Sequence, residues 1–123
     1  MIDHVGFEVS DLERTGRFYD AVFFALGARR LVESEHLVAY GVNAPLFFFV
    51  TRPHPPRAPA PGYGHLALAA SGKAAVDAAY RAGLANGGTD DGPPGRRPQY
   101  GRRYYAGYLR DPDRLRVEVV SRR

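Results

Sequence analysis

Two histidines occupy positions that suggest a shared role in binding a metal ion. His4 and His65 stand 61 residues apart, each at the start of a similar strand-like segment, and Glu118 lies in the last strand-like run. Imidazole nitrogens and carboxylate oxygens are common ligands of divalent metals. A single histidine on a strand is most often an ordinary, partly buried residue. Two histidines at equivalent places in a repeat, together with a late carboxylate, favour a metal site instead.

An internal repeat supports this equivalence. The segment 4–10 (HVGFEVS) resembles 65–71 (HLALAAS), and such a repeat indicates two copies of one supersecondary unit. We therefore expect a single domain, 1–123, that consists of module 1 (1–52), a proline-rich linker (53–62) and module 2 (63–123). The same spacing of 61 residues relates further identical pairs, namely Ser10 and Ser71, Tyr19 and Tyr80, Ala21 and Ala82, and Gly27 and Gly88.

Each module has the pattern of a strand, a helix and three further strands. Apolar residues at helical spacing and a terminal glycine define each helix, and alternating or continuous apolar runs define the strands. In module 1 we expect a strand over 2–9, a helix over 11–25 and strands over 30–32, 36–40 and 46–51. In module 2 we expect a strand over 64–70, a helix over 72–86, a weak strand over 89–91, and strands over 104–110 and 116–121.

Local signals mark the ends of these elements. Ser10 is expected to cap the first helix, with Glu13 completing a capping box, and Ser71 is the corresponding residue of module 2. The proline density of the linker predicts a stiff, extended segment, and residues 93–101 are expected to form an irregular loop. The sequence Asp-Pro-Asp at 111–113 is typical of a tight turn before the last strand.

Strand alternation separates the candidate ligands from the apolar positions. Successive side chains of a strand point to opposite faces of the sheet. The neighbours of all three candidates are apolar, with Val5 beside His4, Leu66 beside His65, and Val117 and Val119 beside Glu118. The three candidates therefore face away from the sides that would pack against helices, as a site lining an open cup requires.

Eight short motifs occur in a fixed order along the chain. They are IDHVG at 2–6, SDL at 10–12, FY at 18–19, GHLAL at 64–68, NGG at 86–88, YYA at 104–106, DPD at 111–113 and VEV at 117–119. Their order and spacing resemble the vicinal oxygen chelate superfamily of glyoxalases, bleomycin resistance proteins and extradiol dioxygenases, over essentially the whole chain. The resemblance implies an α+β fold in which two βαβββ modules form a curled mixed sheet around an open cup.

The resemblance implies that His4, His65 and Glu118 are the metal ligands. Many relatives have a fourth ligand at the end of the first module, and aligning 48–52 with 118–122 puts Phe48 there. Phenylalanine cannot bind a metal, so three protein ligands remain and coordination positions stay open for water or substrate. Such a set suits a divalent metal ion and does not distinguish Fe, Mn, Zn, Ni or Co.

The activity implied by the resemblance is that of a divalent-metal-dependent enzyme, either a lyase or isomerase, or a ring-cleaving dioxygenase. Its substrate would be a small molecule that chelates the metal through vicinal oxygens. The alternative is a metal-free protein of the bleomycin-resistance type, which binds or sequesters a small molecule. We expect a homodimer. If the modules are exchanged between subunits, His4 comes from one chain and His65 with Glu118 from the other.

Four further side chains are candidates around this site. Glu8 shares a strand face with His4 and is a candidate catalytic acid or base, although a salt bridge with an arginine is the simpler role. Tyr104 and Tyr108 lie on one face of their strand, where they would orient the substrate or form the wall of the cup. Phe48 is a candidate for an apolar floor under the substrate.

The composition and charge of the chain narrow the classes of partner that we expect. The 123 residues carry a net charge of +4 and no cysteine. The arginines between 96 and 103 are too few to neutralise many phosphates, so a small anionic substrate is favoured over nucleic acid. No apolar run is long enough to span a membrane, and the N-terminus lacks the basic region of a signal peptide. These features predict a cytoplasmic protein that binds neither nucleic acid nor membrane.

The turn before the last strand departs from the family pattern. Relatives usually continue with Gly-Asn where this chain has Arg114 and Leu115. An arginine in a left-handed conformation costs roughly 1 kcal/mol relative to glycine. Either the turn keeps its shape and carries this cost, or it changes and displaces Glu118.

Overall fold

The computed structural model describes residues 1–51 and 64–123, and the linker expected over 53–62 lies outside them. Within these residues, two helices and eight strands follow the order of a duplicated unit. The elements are β1 (Val5–Glu8), α1 (Leu12–Ala25), β2 (Arg29–Ser34), β3 (Leu37–Gly41), β4 (Phe47–Val50), β5 (His65–Ala69), α2 (Lys73–Ala85), β6 (Thr89–Arg96), β7 (Tyr105–Arg110) and β8 (Arg116–Ser121).

Each module forms its own four-stranded sheet. The first sheet has the order β1-β4-β3-β2, in which β1 and β4 are parallel and the other pairs are antiparallel. The second sheet repeats this arrangement as β5-β8-β7-β6. Both sheets are open, and neither is hydrogen-bonded to the other in the described part of the chain. The predicted α+β fold with two βαβββ modules is confirmed.

The two modules meet through their helices, because α1 packs against α2. Val22 and Gly83, which are equivalent in the repeat, face each other at this contact. A Cβ atom on Gly83 would lie 3.2 Å from Val22 Cγ2 and 2.6 Å from Leu109 Cδ1, so a larger residue here would require these side chains to shift. Neither of the two helices in the described residues is long and apolar enough to cross a membrane.

The core faces of the sheets follow the alternation expected from the sequence. Val117 and Val119 are fully buried in the core, and Phe49 is the fully buried residue of β4. Glu118 and Phe48 stand on the opposite faces of the same strands, because neighbouring strand residues point in opposite directions. The sheet faces that pack against the helices therefore form the core that stabilises the fold, and the opposite faces are available for a site.

The strand after α2 is longer than predicted. β6 runs from Thr89 to Arg96, so part of the irregular loop expected over 93–101 is a strand. Pro93 and Pro94 are tolerated because β6 is an edge strand, where missing N–H donors break few ladder bonds. The pairing of β6 with β7 is irregular at two places, which removes the regular alternation that would have marked this strand in the sequence.

The expected helix caps are wrong by one residue. Asp11 caps α1, since its side chain accepts a 3.0 Å hydrogen bond from the backbone N–H of Arg14. The backbone N–H and the hydroxyl of Ser10 instead bond the carboxylate of Asp113, in module 2. The N-cap residue of α2 is Gly72, which has no side chain to accept a capping hydrogen bond. Ser10 therefore joins the modules rather than starting a helix.

A buried hydrogen-bond network also joins the modules. The Tyr19 hydroxyl on α1 donates to Oδ2 of Asp111 at 2.7 Å, and Oδ1 of Asp111 accepts from the backbone N–H groups of Asp113 and Leu115. Burial raises the pKa of both the Tyr19 phenol and the Asp111 carboxyl above their ordinary values. This network fixes the turn that precedes β8, the strand that carries Glu118.

The same turn keeps its left-handed residue. Arg114 has a φ of 71°, and no other non-glycine residue of the described chain has a positive φ. The turn therefore retains its shape and carries the conformational cost of an arginine at that position.

Candidate metal and substrate site

Module 2 brings two of the three predicted ligands together. β5 and β8 are parallel neighbours, and their register pairs Ala67 with Glu118, so His65 lies two residues away along β5 on the same face. His65 Nε2 is 3.5 Å from Glu118 Oε1. The Glu118 side chain is only 4% exposed, whereas that of His65 is 51% exposed. A buried carboxylate thus meets an accessible imidazole.

Two tyrosines hold the other side of this carboxylate. The Tyr104 hydroxyl donates a short hydrogen bond to Glu118 Oε2, and the Tyr108 hydroxyl lies 3.5 Å from the same oxygen. Tyr108 reaches it from the neighbouring strand, because β7 and β8 pair Tyr108 with Glu118. Tyr105 points the other way and donates to Asp77 of α2. The alternation predicted for these tyrosines is observed.

The environment keeps both of these phenols protonated. Burial, followed by the hydrogen bond to Glu118, raises the pKa of Tyr104 to about 12. Burial and the negative charge of Glu118 raise the pKa of Tyr108 as well. At neutral pH each hydroxyl is therefore a proton donor to Glu118, which leaves Oε1 as the carboxylate oxygen on the His65 side.

His4 lies in module 1, just before β1, and is not brought to this pair within one chain. Its Nδ1 is 2.6 Å from Asp3 Oδ1, and its ring meets the Phe48 ring edge-on at 5.2 Å. The His4 side chain is 58% exposed. Among the described residues of a single chain, no group of three His, Asp or Glu side chains is arranged to hold a metal.

The remaining predicted residues of module 1 lie on the side of His4. Phe48 is partly buried and pairs in register with Gly6, two residues after His4. Glu8 ends β1, pairs in register with Val50 and is partly buried. Both are thus members of the first sheet, and neither is brought to Glu118 by the strand pairing of one chain.

A prominent surface groove of the described residues lies elsewhere. It measures 1120 Å³, lies along α1 and β2, and contains none of the predicted site residues. Its lining is mixed, with Asp20, Phe24 and Arg30 among the side chains. The candidate ligands therefore stand on sheet faces outside this groove.

Arg116 is a residue at the site that our sequence analysis did not single out. It precedes Glu118 by two positions on β8 and pairs in register with His65. Its guanidinium carbon lies 4.5 Å from the centre of the Tyr108 ring. The alternation that placed Glu118 on the open face applies equally to Arg116, so the signal was present in the sequence.

Comparisons with known proteins agree with this architecture. The family model of the Glyoxalase/Bleomycin resistance protein/Dioxygenase superfamily matches residues 1–119. A glyoxalase/bleomycin resistance protein from Albidiferax ferrireducens has 34% sequence identity and a TM-score of 0.86, covering 100% of this chain and 99% of its own. A search of curated proteins finds no match.

Two more distant structures have names that specify an activity. Lactoylglutathione lyase from Agrobacterium tumefaciens is 25% identical with a TM-score of 0.68, covering 98% of this chain and 92% of its own. The fosfomycin resistance protein FosX from Mesorhizobium loti is 23% identical with a TM-score of 0.72, covering 98% of this chain and 91% of its own. The duplicated fold and the match over residues 1–119 show that this chain belongs to the Glyoxalase/Bleomycin resistance protein/Dioxygenase superfamily.

Proposed function

We propose that this protein is a divalent-metal-dependent enzyme whose metal site forms between two subunits of a homodimer. His4 of one subunit would join His65 and Glu118 of the other. The observation that carries the proposal is the division of donors, because His65 and Glu118 lie together on module 2 while His4 stands exposed on module 1. A symmetric dimer with exchanged modules would contain two such sites.

The donor chemistry fits a divalent cation. Glu118 has one oxygen bonded by Tyr104 and the other 3.5 Å from His65 Nε2, which is the arrangement expected when a second partner fixes a ligating carboxylate. When bound, the metal would act as a Lewis acid on the vicinal oxygens of a small substrate. Two imidazoles and one carboxylate leave positions open for that substrate.

The chain's own residues would position the metal ligands and donate protons to the substrate. Tyr104 holds Glu118 Oε2, so Oε1 remains directed toward the metal side. The Tyr108 hydroxyl, at the longer distance of 3.5 Å from Oε2, can turn its single proton to a substrate oxygen instead. Phe48, beside His4, supplies an apolar wall on the opposite module. Glu8 is on the His4 side and would act as acid or base only if the exchanged dimer brings it within hydrogen-bond reach of the substrate.

Lyase or isomerase chemistry and ring-cleaving dioxygenase chemistry both remain within this proposal. The name of one relative, the lactoylglutathione lyase from Agrobacterium tumefaciens, favours the lyase side of the family. The alternative is a metal-free binding protein of the bleomycin-resistance type. It is favoured by one observation, since the hydrogen bond from Tyr104 to Glu118 Oε2 leaves this carboxylate fewer free lone pairs for a metal.

Subunit complementation tests the shared site. We would measure the metal content of purified protein for wild type, His4→Ala and His65→Ala, with exposed His36→Ala as the matched control. Both single variants should lose bound metal and His36→Ala should keep it. A mixed dimer of the His4→Ala and His65→Ala chains should contain one intact site and regain metal, because one interface then combines both native histidines.

A mixed dimer without metal would overturn the shared site. If His4→Ala alone retains the wild-type metal content, His4 is not a ligand. A wild type that binds no more metal than His65→Ala would support the metal-free alternative. Light scattering provides the oligomeric state, and a monomer at micromolar concentration would contradict the exchanged arrangement.

A further inference from the structure

The two tyrosines that hold Glu118 are themselves covered by arginines. The guanidinium carbon of Arg97 lies 5.4 Å from the centre of the Tyr108 ring, and that of Arg116 lies 4.5 Å from it. Arg122 is stacked on Tyr104 at 4.8 Å. These three positive charges share the neighbourhood of a single buried carboxylate, so the open face of module 2 is cationic.

Arg97 is fixed in place by the edge of the sheet. Its Nη2 donates hydrogen bonds to the backbone carbonyls of Pro93 at 2.7 Å and Ala106 at 3.3 Å. Gly92 and Gly95 of β6 lie beside it, since a Cβ atom on either would be in ordinary van der Waals contact with a guanidinium nitrogen, at 3.7 and 3.8 Å. The guanidinium is therefore held across β6 and β7 rather than free in solvent.

The charge of Arg97 is not neutralised by a carboxylate. Arg116 has a partner, since its Nε lies 3.1 Å from Asp91 Oδ2, which also receives Arg110. No Asp or Glu of residues 1–51 or 64–123 lies within ion-pair distance of Arg97. In the same ranges its Nε is buried and has no hydrogen-bond partner. An oxygen of an anion bound beside the guanidinium would supply the missing negative charge.

We propose that Arg97 binds an anionic group of the substrate, a carboxylate or a phosphoryl-type oxyanion, next to the Glu118 site. This inference rests on the proposed function and specifies its substrate class, namely small molecules with a separate anionic group beyond their metal-chelating oxygens. A guanidinium is suited to this role because its planar fork binds two oxyanion oxygens and is weakly hydrated. Arg122, stacked on Tyr104, adds positive charge to the same face.

A purely structural role for Arg97 is the competing explanation. Its bonds to Pro93 and Ala106 would then only brace the β6 edge. Arg97→Gln separates the two roles, since the glutamine amide can still donate to a carbonyl but has no charge. Arg103→Gln is the matched control, because Arg103 is exposed in the adjoining loop and undergoes the same change of charge.

The experiment is calorimetric titration of metal-free protein with inorganic phosphate, repeated at two salt concentrations. Phosphate should bind wild type, and Arg97→Gln should weaken the binding about tenfold or more, as expected for the loss of a charge-assisted hydrogen bond. Arg103→Gln should change it by less than about twofold. Wild-type affinity in Arg97→Gln, equal weakening in both variants, or no phosphate binding by wild type would each overturn the proposal.

A second titration connects the anion site to the metal site. With Mn(II)-loaded protein, L-malate should bind more tightly than L-lactate, because both chelate through vicinal oxygens but only malate has a further carboxylate. Arg97→Gln should remove this preference and leave Mn(II) binding unchanged, and a preference that survives in Arg97→Gln would contradict the assignment. If Mn(II) does not bind at all, the proposed function fails, while the phosphate titration still decides the role of Arg97.

Discussion

The two modules share one topology but differ on the open faces of their sheets. Across β1, β4 and β3 of module 1, the row of paired residues is Gly6, Phe48 and Ala39. The corresponding row across β5, β8 and β7 of module 2 is Ala67, Glu118 and Tyr108. Each row lies two residues beyond a histidine. Module 2 therefore has a buried carboxylate and its hydrogen-bond donor at the place where module 1 has an apolar surface.

The buried faces differ far less. Phe49 of module 1 and Val119 of module 2 follow these row positions, and both are fully buried. Close packing constrains the helix-facing positions of both modules in the same way, whereas the open faces carry no such constraint. The comparison therefore teaches that the duplicated core maintains the fold, and that the two modules supply different donors to the proposed metal site.

The largest expected effect separates Glu118 from Phe48. Glu118→Gln should lower metal affinity by more than about 100-fold, since losing even an outer partner of a ligand costs 10–100-fold. Phe48→Leu, at the equivalent position of module 1, should leave metal affinity within a few-fold of wild type, because neither side chain can bind a metal. Competition with a chromogenic chelator measures both constants. Equal losses in the two variants would remove the asymmetry between the modules.

A second comparison concerns the repeat-equivalent tyrosines Tyr19 and Tyr80. Tyr19→Phe should lower the free energy of unfolding by about 2 kcal/mol, because Asp111 then loses a buried hydrogen bond. Tyr80 bonds Asp90 at 2.5 Å in a more exposed setting, so Tyr80→Phe should cost less. Urea unfolding at pH 7 measures both changes, and the reverse order would show that the module junction is not the stronger contact.

The pH dependence of this pair follows from its raised phenol pKa values. Burial raises the pKa of Tyr19 well above its ordinary value, and burial with the Asp90 hydrogen bond raises that of Tyr80 to about 12. A raised folded-state pKa means that the stabilisation is complete below about pH 10, the ordinary tyrosine value. It is lost as the pH rises through the folded-state pKa. The difference between wild type and Tyr19→Phe should therefore shrink above pH 10.

The smallest expected effect concerns the turn before β8, in which Arg114 has a strained backbone conformation. Arg114→Gly should raise the free energy of unfolding by about 0.5–1 kcal/mol, since glycine adopts the φ of 71° without steric cost but is more flexible when unfolded. Arg114→Ala keeps the strain and serves as the control. Thermal unfolding compares the two, and a gain in Arg114→Ala equal to that in Arg114→Gly would exclude backbone strain as the cause.

Much of the fold was predictable because the repeat carries it. The two helices, most of the strands and the open faces of His65 and Glu118 follow from periodicity within short segments. The length of β6 was underestimated because its two prolines and its irregular pairing with β7 break the alternation of side chains. The Ser10 cap was wrong because Asp113, 103 residues away, competes for its hydroxyl and N–H. Local propensity contains no information about such a distant partner.

The site was predictable in its members but not in their grouping. The sequence by itself determined which side chains stand on the open faces, because strand alternation is a property of the backbone. Only the tertiary structure decided that β5, β8 and β7 lie side by side, which places His65 with Glu118 and Tyr108. It also placed Arg97 over Tyr108, and it packed α1 on α2, which leaves His4 on the other sheet. These groupings depend on strand pairing and helix packing between residues far apart in sequence, which no local pattern encodes.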